Sequence, residues 1–174
     1  MLEKYDITTI NRMAHFFGQS RQETLGGYYL TEVNWSKEGV ADSSKWISDR
    51  EYFETKYAPS TSRGKNLGNT EKGDGYLFRG AGAIQLTGRY NYQKFSEKIG
   101  DPLIMEKGAD YVAENYFWEV GGYFWEMKNI NNVIDSGGTS DDVSKIVNRY
   151  DTDTFAQREE KYNEAYKTLN AWKK

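Results

Sequence analysis

The middle of the chain contains the stretch FRGAGAIQLTGRYNY, residues 78–92. A short apolar run and a tyrosine-rich segment follow three small residues near its start, Gly80, Ala81 and Gly82. Glycine adopts backbone conformations that other residues avoid, so Gly80, Gly82 and Gly88 are interpreted as serving the backbone geometry. The spacing over residues 91–99 then predicts a helix, which a glycine ends. The stretch therefore predicts an apolar run that leads into a helix.

The N-terminal region has the spacing of an amphipathic helix. Thr8 or Thr9 can cap this helix, because a threonine side chain accepts a hydrogen bond from the first free N–H groups. The pattern continues to about Thr24 and stops before two glycines, which are common after helix ends. Glu23 is therefore predicted to lie in the last turn.

Three further regions complete the predicted secondary structure. We expect a helical piece around residues 43–57 and, in the Gly- and Ser-rich segment 59–75, a surface loop or two-strand excursion. Paired glycines at Gly121 and Gly122 predict a helix break or close helix packing. The C-terminal helices are predicted at 111–128, 130–134, 139–150 and 155–172, the third with Thr139 or Ser140 as its cap. The pattern is typical of one mainly α domain, residues 1–174, with at most a small β element.

Composition argues against several classes of protein. The chain has no cysteine, which excludes disulfides and thiolate metal sites, and its single histidine is His15. One histidine argues against a Ser-His-Asp triad and a two-histidine zinc site. We therefore expect neither a metal nor another cofactor.

Charge and hydropathy argue against two kinds of partner. The net charge of −3 gives no basic excess for binding nucleic acid. The chain contains no run of 18 apolar residues, so we expect no insertion into a membrane. The N-terminal sequence MLEKYDITTINRM lacks the apolar core of a signal peptide. Fourteen tyrosines and five tryptophans suit a groove that stacks on sugars or bases, and they suit a core and its rim equally well.

Two glutamates form a candidate catalytic pair. Glu23 lies near the predicted helix end among aromatic residues, and Glu32 follows nine positions later. A helix end and the loop after it can bring two carboxylates to opposite walls of a cleft, as glycoside hydrolysis requires. Most glutamates are solvated surface residues, so spacing alone leaves both interpretations open.

Two motifs resemble glycoside hydrolase family 19, which comprises chitinases and related phage and bacterial endolysins. AHFFGQSRQETLGG (residues 14–27), followed by Glu32-Val33-Asn34-Trp35, resembles the catalytic region of that family. The stretch at 78–92 resembles its second hallmark, and fainter likeness extends through Asn148 and Arg158. The resemblance covers residues 10–160, and the nine-residue gap between the acids is that of the compact bacterial and phage branch.

The resemblance implies a role for each matching residue. Glu23 would be the general acid and Glu32 the general base of an inverting enzyme, with carboxyl groups about 6.5–9.5 Å apart. Thr87 matches the position whose hydroxyl helps to hold the attacking water. The positions that match sugar-binding residues are Gln85, Tyr90, Asn91, Asn148 and Arg158. His15 matches a position beside the site and is counted with them, although a lone histidine is more often structural.

Three positions depart from the family pattern. Gln22 replaces the usual histidine before the catalytic glutamate, and Ala81 stands where the family often has arginine. Asn148 is followed by Arg149-Tyr150 instead of two glycines. Both acids are retained, so the resemblance still implies activity, with substrate preference the property most open to change.

These observations predict a lysozyme-like, two-lobed domain with a central cleft. The expected function is hydrolysis of β-1,4 bonds in an N-acetylglucosamine polymer, with peptidoglycan preferred to chitin. The expected partner is that polysaccharide alone, and the expected state is a monomer. We expect the chain to act on the bacterial cell wall or outside the producing cell, delivered by a phage or a secretion system.

Two other functions stay open at this point. A lytic transglycosylase on a related fold would need one glutamate, so Glu32 would be dispensable. An inactive sugar-binding module would keep the cleft without the chemistry, which the departures at Gln22 and Ala81 leave open.

Overall fold

Helices make up most of the computed structural model, which describes residues 1–35 and 45–172. The helices are α1 (Ile10–Glu23), α2 (Asp49–Tyr57), α3 (Ser62–Asn66), α4 (Asp74–Leu77), α5 (Arg89–Ile99), α6 (Leu103–Asn115), α7 (Phe117–Met127), α8 (Ile130–Asp135), α9 (Ser140–Asn148) and α10 (Phe155–Trp172). Within the described ranges the β structure consists of isolated bridges, Thr31 to Ala81 and Ala81 to Leu86. The mainly α prediction with at most a small β element is confirmed.

Local signals in the sequence define several helix ends. Thr9 caps α1, with its side chain accepting a hydrogen bond from the Arg12 N–H. Thr139 caps α9 in a reciprocal arrangement with Asp142, whose carboxylate binds the Thr139 N–H. Gly100 ends α5 in the left-handed conformation. These caps satisfy backbone groups that would otherwise lack partners at the helix ends.

The chain divides into two compact units. The first contains Met1–Tyr28 and Trp118–Lys174, and the second contains Tyr29–Phe117. The assignment of residues 1–174 to one catalytic domain stays a prediction.

The first unit is built on α1 packed against α10, with α8 and α9 beside them. Its core consists of the buried residues Tyr5, Ile7, Phe16, Trp125, Ile130, Ile134 and Val143. The Phe16 and Trp125 rings meet edge to face with centroids 5.3 Å apart, an arrangement that aromatic quadrupoles favour. This packing fixes α1 along its length and so fixes the end that carries Glu23.

The second unit packs α2 against α4 and α5 against α6. Its buried aromatic residues include Phe53, Phe78 and Tyr92. The Tyr92 hydroxyl donates a 2.7 Å hydrogen bond to the Arg79 carbonyl oxygen. Burial raises the pKa of Tyr92, so this donor keeps its proton at neutral pH. The bond ties α5 to the segment that begins at Gly80.

The structure corrects the prediction for residues 59–75. Two short helices, α3 and α4, begin in this segment where a loop or strand excursion was expected. Thr61 caps α3 by accepting a hydrogen bond from the Gly64 N–H, a local signal that the Gly and Ser content obscured. The helix expected around 43–57 begins at Asp49, after the Ser48 cap, and residues 43 and 44 lie outside the described residues.

The C-terminal half also differs in where its first long helix breaks. The break falls at Tyr116, between α6 and α7, and α7 continues through both glycines. A Cβ atom at Gly122 would lie 2.1 Å from the Tyr5 ring, so close packing explains this glycine. Trp125 is fully buried, whereas Trp118 on the same helix is 43% exposed.

Among residues 1–35 and 45–172, none of the helices combines the length and hydrophobicity required to cross a bilayer.

Candidate active site

Glu23 is the last residue of α1, and a buried arginine from α10 holds its side chain. Arg158 Nη2 donates a 2.6 Å hydrogen bond to Glu23 Oε1, and Arg158 is only 1% exposed. Such charge-assisted bonds are stronger than neutral ones and fix the direction of the carboxylate. Glu23 Oε2 accepts no hydrogen bond from the described residues.

Four side chains share the donors of Arg158. Its Nη2 also binds Asp151 Oδ2 at 3.1 Å, Nη1 binds Gln19 Oε1 at 2.7 Å, and Nε binds Thr154 Oγ1 at 3.1 Å. A buried charge is tolerated when it is paired and hydrogen-bonded, and four of the five N–H donors of this guanidinium bind these side chains. Its charge is shared between two carboxylates, Glu23 and Asp151.

Glu32 lies in the second unit, beside the turn of small residues. Its Oε1 binds Lys56 Nζ at 2.7 Å, and the Tyr57 hydroxyl lies 2.8 and 3.0 Å from its two oxygens. The Gly80 N–H donates to Oε2 at 3.3 Å. Burial and the nearby Glu32 carboxylate raise the pKa of Tyr57, which keeps this phenol a donor. Both oxygens of Glu32 are thus held in a fixed orientation.

The turn at Gly80 brings Gln85 next to Glu32. A Cβ atom at Gly80 would lie 2.7 Å from Gln85 Oε1 and 3.3 Å from Glu32 Oε2, so a larger residue here would displace the Gln85 amide from Glu32. The Glu32 N–H donates to the Gly80 carbonyl at 2.8 Å, which fixes the two segments side by side. Ala81, the departure from the family pattern, is fully buried and forms both bridges.

Thr87 and Asn91 extend the same cluster toward α5. Thr87 Oγ1 donates to the Gln85 carbonyl at 2.8 Å, and Asn91 Nδ2 donates to the Thr87 carbonyl at 2.8 Å. Tyr90, at the start of α5, has a side chain that is 58% exposed. The second unit therefore brings together four residues that the sequence singled out, Glu32, Gln85, Thr87 and Asn91.

Two other predicted site residues lie in the first unit. Asn148 ends α9, and its carbonyl accepts a hydrogen bond from the Asp151 N–H at 3.3 Å. His15 is 2% exposed and stacks on Tyr162 with ring centroids 4.1 Å apart. Burial lowers the pKa of His15 to about 4, so the ring is neutral at pH 7. Its contacts are those of a packed residue, and its proposed contact with substrate stays a prediction.

Gln22, where the family has histidine, binds α10. Its Oε1 accepts a 2.5 Å hydrogen bond from Lys161 Nζ, and its Nε2 lies 3.4 Å from Gln157 Oε1. These contacts fasten the end of α1 next to Glu23.

Comparison with solved structures finds proteins of the same fold. Chitinase C from Streptomyces griseus HUT6037 aligns over 92% of this chain and 73% of its own, with a TM-score of 0.66 and 18% identity. A variant of chitinase C with glutamate replaced by glutamine aligns over 92% and 60%, with a TM-score of 0.61 and 18% identity. This chain has the chitinase C fold. No protein-family model matches the chain, and a search of curated proteins finds no match.

Sequence reasoning missed three residues of the site. Asp151 lies in what reads as a polar turn, and Lys56 and Tyr57 lie in a segment with weak helical signals. Nothing in their local sequence indicates that they meet a distant carboxylate. Arg158 was identified, but as a residue that binds sugar, and the structure instead commits its guanidinium to protein side chains around Glu23.

Proposed function

We propose that this protein is an inverting glycoside hydrolase that cleaves β-1,4 bonds in an N-acetylglucosamine polymer, with peptidoglycan as its substrate. The observation that carries the proposal is the buried Arg158, which fixes one oxygen of Glu23 and leaves the other without a partner among the described residues. A carboxyl group held in this way is suited to proton transfer at a defined position. The chitinase C fold supports the same class of enzyme.

Glu23 is the general acid of the proposed reaction. Its Oε2 would carry the proton and deliver it to the glycosidic oxygen as the bond to the anomeric carbon breaks. Arg158 binds only the Oε1 atom of Glu23 and also pairs with Asp151. It therefore orients the acid through the oxygen that does not carry the proton.

Glu32 is the general base. It takes a proton from a water molecule whose oxygen forms the new bond to the anomeric carbon, so one water is consumed for each bond broken. Tyr57 and the Gly80 N–H orient this carboxylate, and Lys56 balances its charge. Thr87 would help to hold the water through its hydroxyl group.

The remaining polar residues suit an N-acetylated sugar. Gln85 and Asn91 offer amide groups for the acetamido and hydroxyl groups of the sugar, and Tyr90 offers an exposed ring face. Asn148 would contribute from the first unit. His15, being buried, would contribute by supporting α1, the helix that carries Glu23.

Chitin is the second candidate substrate, because the two solved structures compared above are chitinases by name. Both polymers lie outside the cytoplasm, so the proposed place of action is the bacterial cell wall or the exterior of the producing cell.

The test is to incubate the purified protein with peptidoglycan sacculi and with soluble chitin oligomers, and to identify the products by mass spectrometry. Reducing-end muropeptides with little chitin cleavage would support the proposal, and fast chitin cleavage with intact sacculi would favour the second candidate. Anhydro products would indicate a lytic transglycosylase. Binding without any product would indicate an inactive sugar-binding module. NMR that determines the anomeric configuration of the product first formed tests whether the reaction inverts the anomeric carbon.

A further inference from the structure

The second unit contains an open pocket of about 460 Å³, lined by Tyr57, Arg63, Asn66, Leu67 and Thr87. Its volume falls in the range of small-molecule sites. Two of these lining residues belong to the candidate site, because Tyr57 binds Glu32 and Thr87 is the residue predicted to hold the attacking water. The pocket therefore adjoins the proposed general base.

Hydrogen bonds to buried groups fix the pocket wall that α3 provides. Asn69, 4% exposed, donates to the Tyr57 carbonyl at 2.8 Å and accepts from the Arg89 N–H at 2.9 Å. The Tyr90 N–H donates to the Leu67 carbonyl at 3.2 Å. These bonds join the residues that follow α3 to the ends of α2 and α5, so the protein itself holds this wall of the pocket.

Arg63 carries a charge that the described protein leaves uncompensated. Within residues 1–35 and 45–172, its guanidinium forms no ion pair and no hydrogen bond. Its Cζ atom lies 6.0 Å from the centroid of the Tyr57 ring. The Asn66 amide likewise forms no side-chain hydrogen bond in these ranges. In contrast, Arg89 in the same unit pairs with Asp74, which is 2% exposed. Arg63 and Asn66 are thus available to a ligand.

The chemistry of these two groups selects an anionic substituent. Chitin is uncharged, so a cation beside its cleavage site has no ionic partner on the polymer. Peptidoglycan carries carboxylates, on the lactyl group of N-acetylmuramic acid or on the attached peptide. A guanidinium binds a carboxylate through two parallel N–H···O bonds, and an adjacent amide can donate a third.

We propose that Arg63, with Asn66, binds a carboxylate of the glycan in this pocket and so selects peptidoglycan over chitin. This inference rests on the proposed function and adds the residue that decides its substrate. Lys56, a nearby cation, is already paired with Glu32. Arg63 is therefore the residue that we expect to bind the carboxylate.

The test compares Arg63→Met and Arg63→Lys with a matched control, Lys65→Met, which removes an exposed positive charge from the same helix outside the pocket lining. The assay measures kcat and KM on three soluble oligomers of equal length. These are a peptidoglycan fragment with its peptides, the same fragment with peptides removed to free the lactyl carboxylate, and a chitin oligomer.

Arg63→Met is expected to lower the ratio of kcat/KM on a carboxylated oligomer to that on chitin by about ten- to a hundredfold, mostly through KM, the usual effect of losing a charge-assisted bond. Arg63→Lys should lose less, and Lys65→Met should leave the ratio unchanged. Loss on the peptide-bearing fragment alone would identify a peptide carboxylate, and loss on the stripped fragment would identify the lactyl group. An unchanged ratio in Arg63→Met, or an equal change in Lys65→Met, would overturn the proposal.

A binding measurement separates this inference from the proposed function. Calorimetry with the Glu23→Gln protein measures its affinity for each of the three oligomers in the absence of turnover. If the unmodified protein cleaves nothing, the proposed function fails, and weaker binding of carboxylated oligomers after Arg63→Met would still support the pocket assignment. Equal affinity for chitin and both carboxylated oligomers would overturn it.

Discussion

Arg158 Nη2 lies 2.6 Å from Glu23 Oε1, and the two residues are 135 positions apart in the chain. The arginine is almost completely buried, whereas the glutamate side chain is 16% exposed. A buried cation thus orients a partly exposed carboxylate through a charge-assisted hydrogen bond.

Replacing Glu23 with glutamine is expected to abolish turnover while the protein stays folded. The amide has nearly the same shape but has no acidic proton to deliver. Product release from sacculi and chitin oligomers measures activity, and circular dichroism measures folding. Glu160→Gln, an exposed change on α10, is the control and should retain full activity. Full turnover by the Glu23→Gln protein would contradict the assignment of the acid.

Replacing Arg158 with methionine is expected to lower the free energy of unfolding by about 3 kcal/mol, since breaking a buried pair leaves carboxylates without a partner. Arg21→Met removes the exposed pair with Glu164, whose side chains are about half exposed, and should cost about 0–1 kcal/mol. Urea unfolding of both variants makes the comparison. Equal losses would show that the buried network adds no special stability.

Glu32→Gln is expected to lower turnover by about 10²–10⁴, the usual contribution of a general base. Glu51→Gln, an exposed change on α2, serves as the control. Steady-state rates on the preferred polymer provide the measurement. A rate that Glu32→Gln leaves unchanged would favour a lytic transglycosylase, which needs no base.

Stability is expected to fall as the pH drops from 6.5 to 4, because burial lowers the pKa of His15 from 6.5 to about 4. In this range the unfolded chain binds a proton at His15 and the native protein does not, so acid favours unfolding. The contribution of this shift to the free energy of unfolding is about 3 kcal/mol, which is present above pH 6.5 and lost by about pH 4.

His15→Phe keeps an aromatic ring against Tyr162 and removes the titration. Urea unfolding at several pH values should therefore show a flatter dependence in this variant between pH 4 and 6.5. The comparison cancels contributions from other groups, including the lowered pKa of Asp74, which acts at lower pH. Identical slopes in the two proteins would contradict the proposed role of His15 in acid sensitivity.

The predicted local structure was most accurate where short-range signals are strong. The Thr9 cap and the bounds of α10 agree with the sequence patterns, because caps and apolar spacing act within a few residues. The segment 59–75 was wrongly predicted because α3 and α4 span only five and four residues, too short for a periodic pattern to appear.

The sequence by itself determined that this protein is mainly α and that an apolar run after three small residues leads into a helix. It also identified Glu23 and Glu32 as the candidate acids. Those features depend on neighbouring residues or on motifs that can be read along the chain. Tertiary structure alone decided that Arg158 holds Glu23 and that Lys56 and Tyr57 hold Glu32. The physical reason is that each contact joins residues far apart in sequence, and helix packing within each unit is what brings their charges within hydrogen-bonding distance.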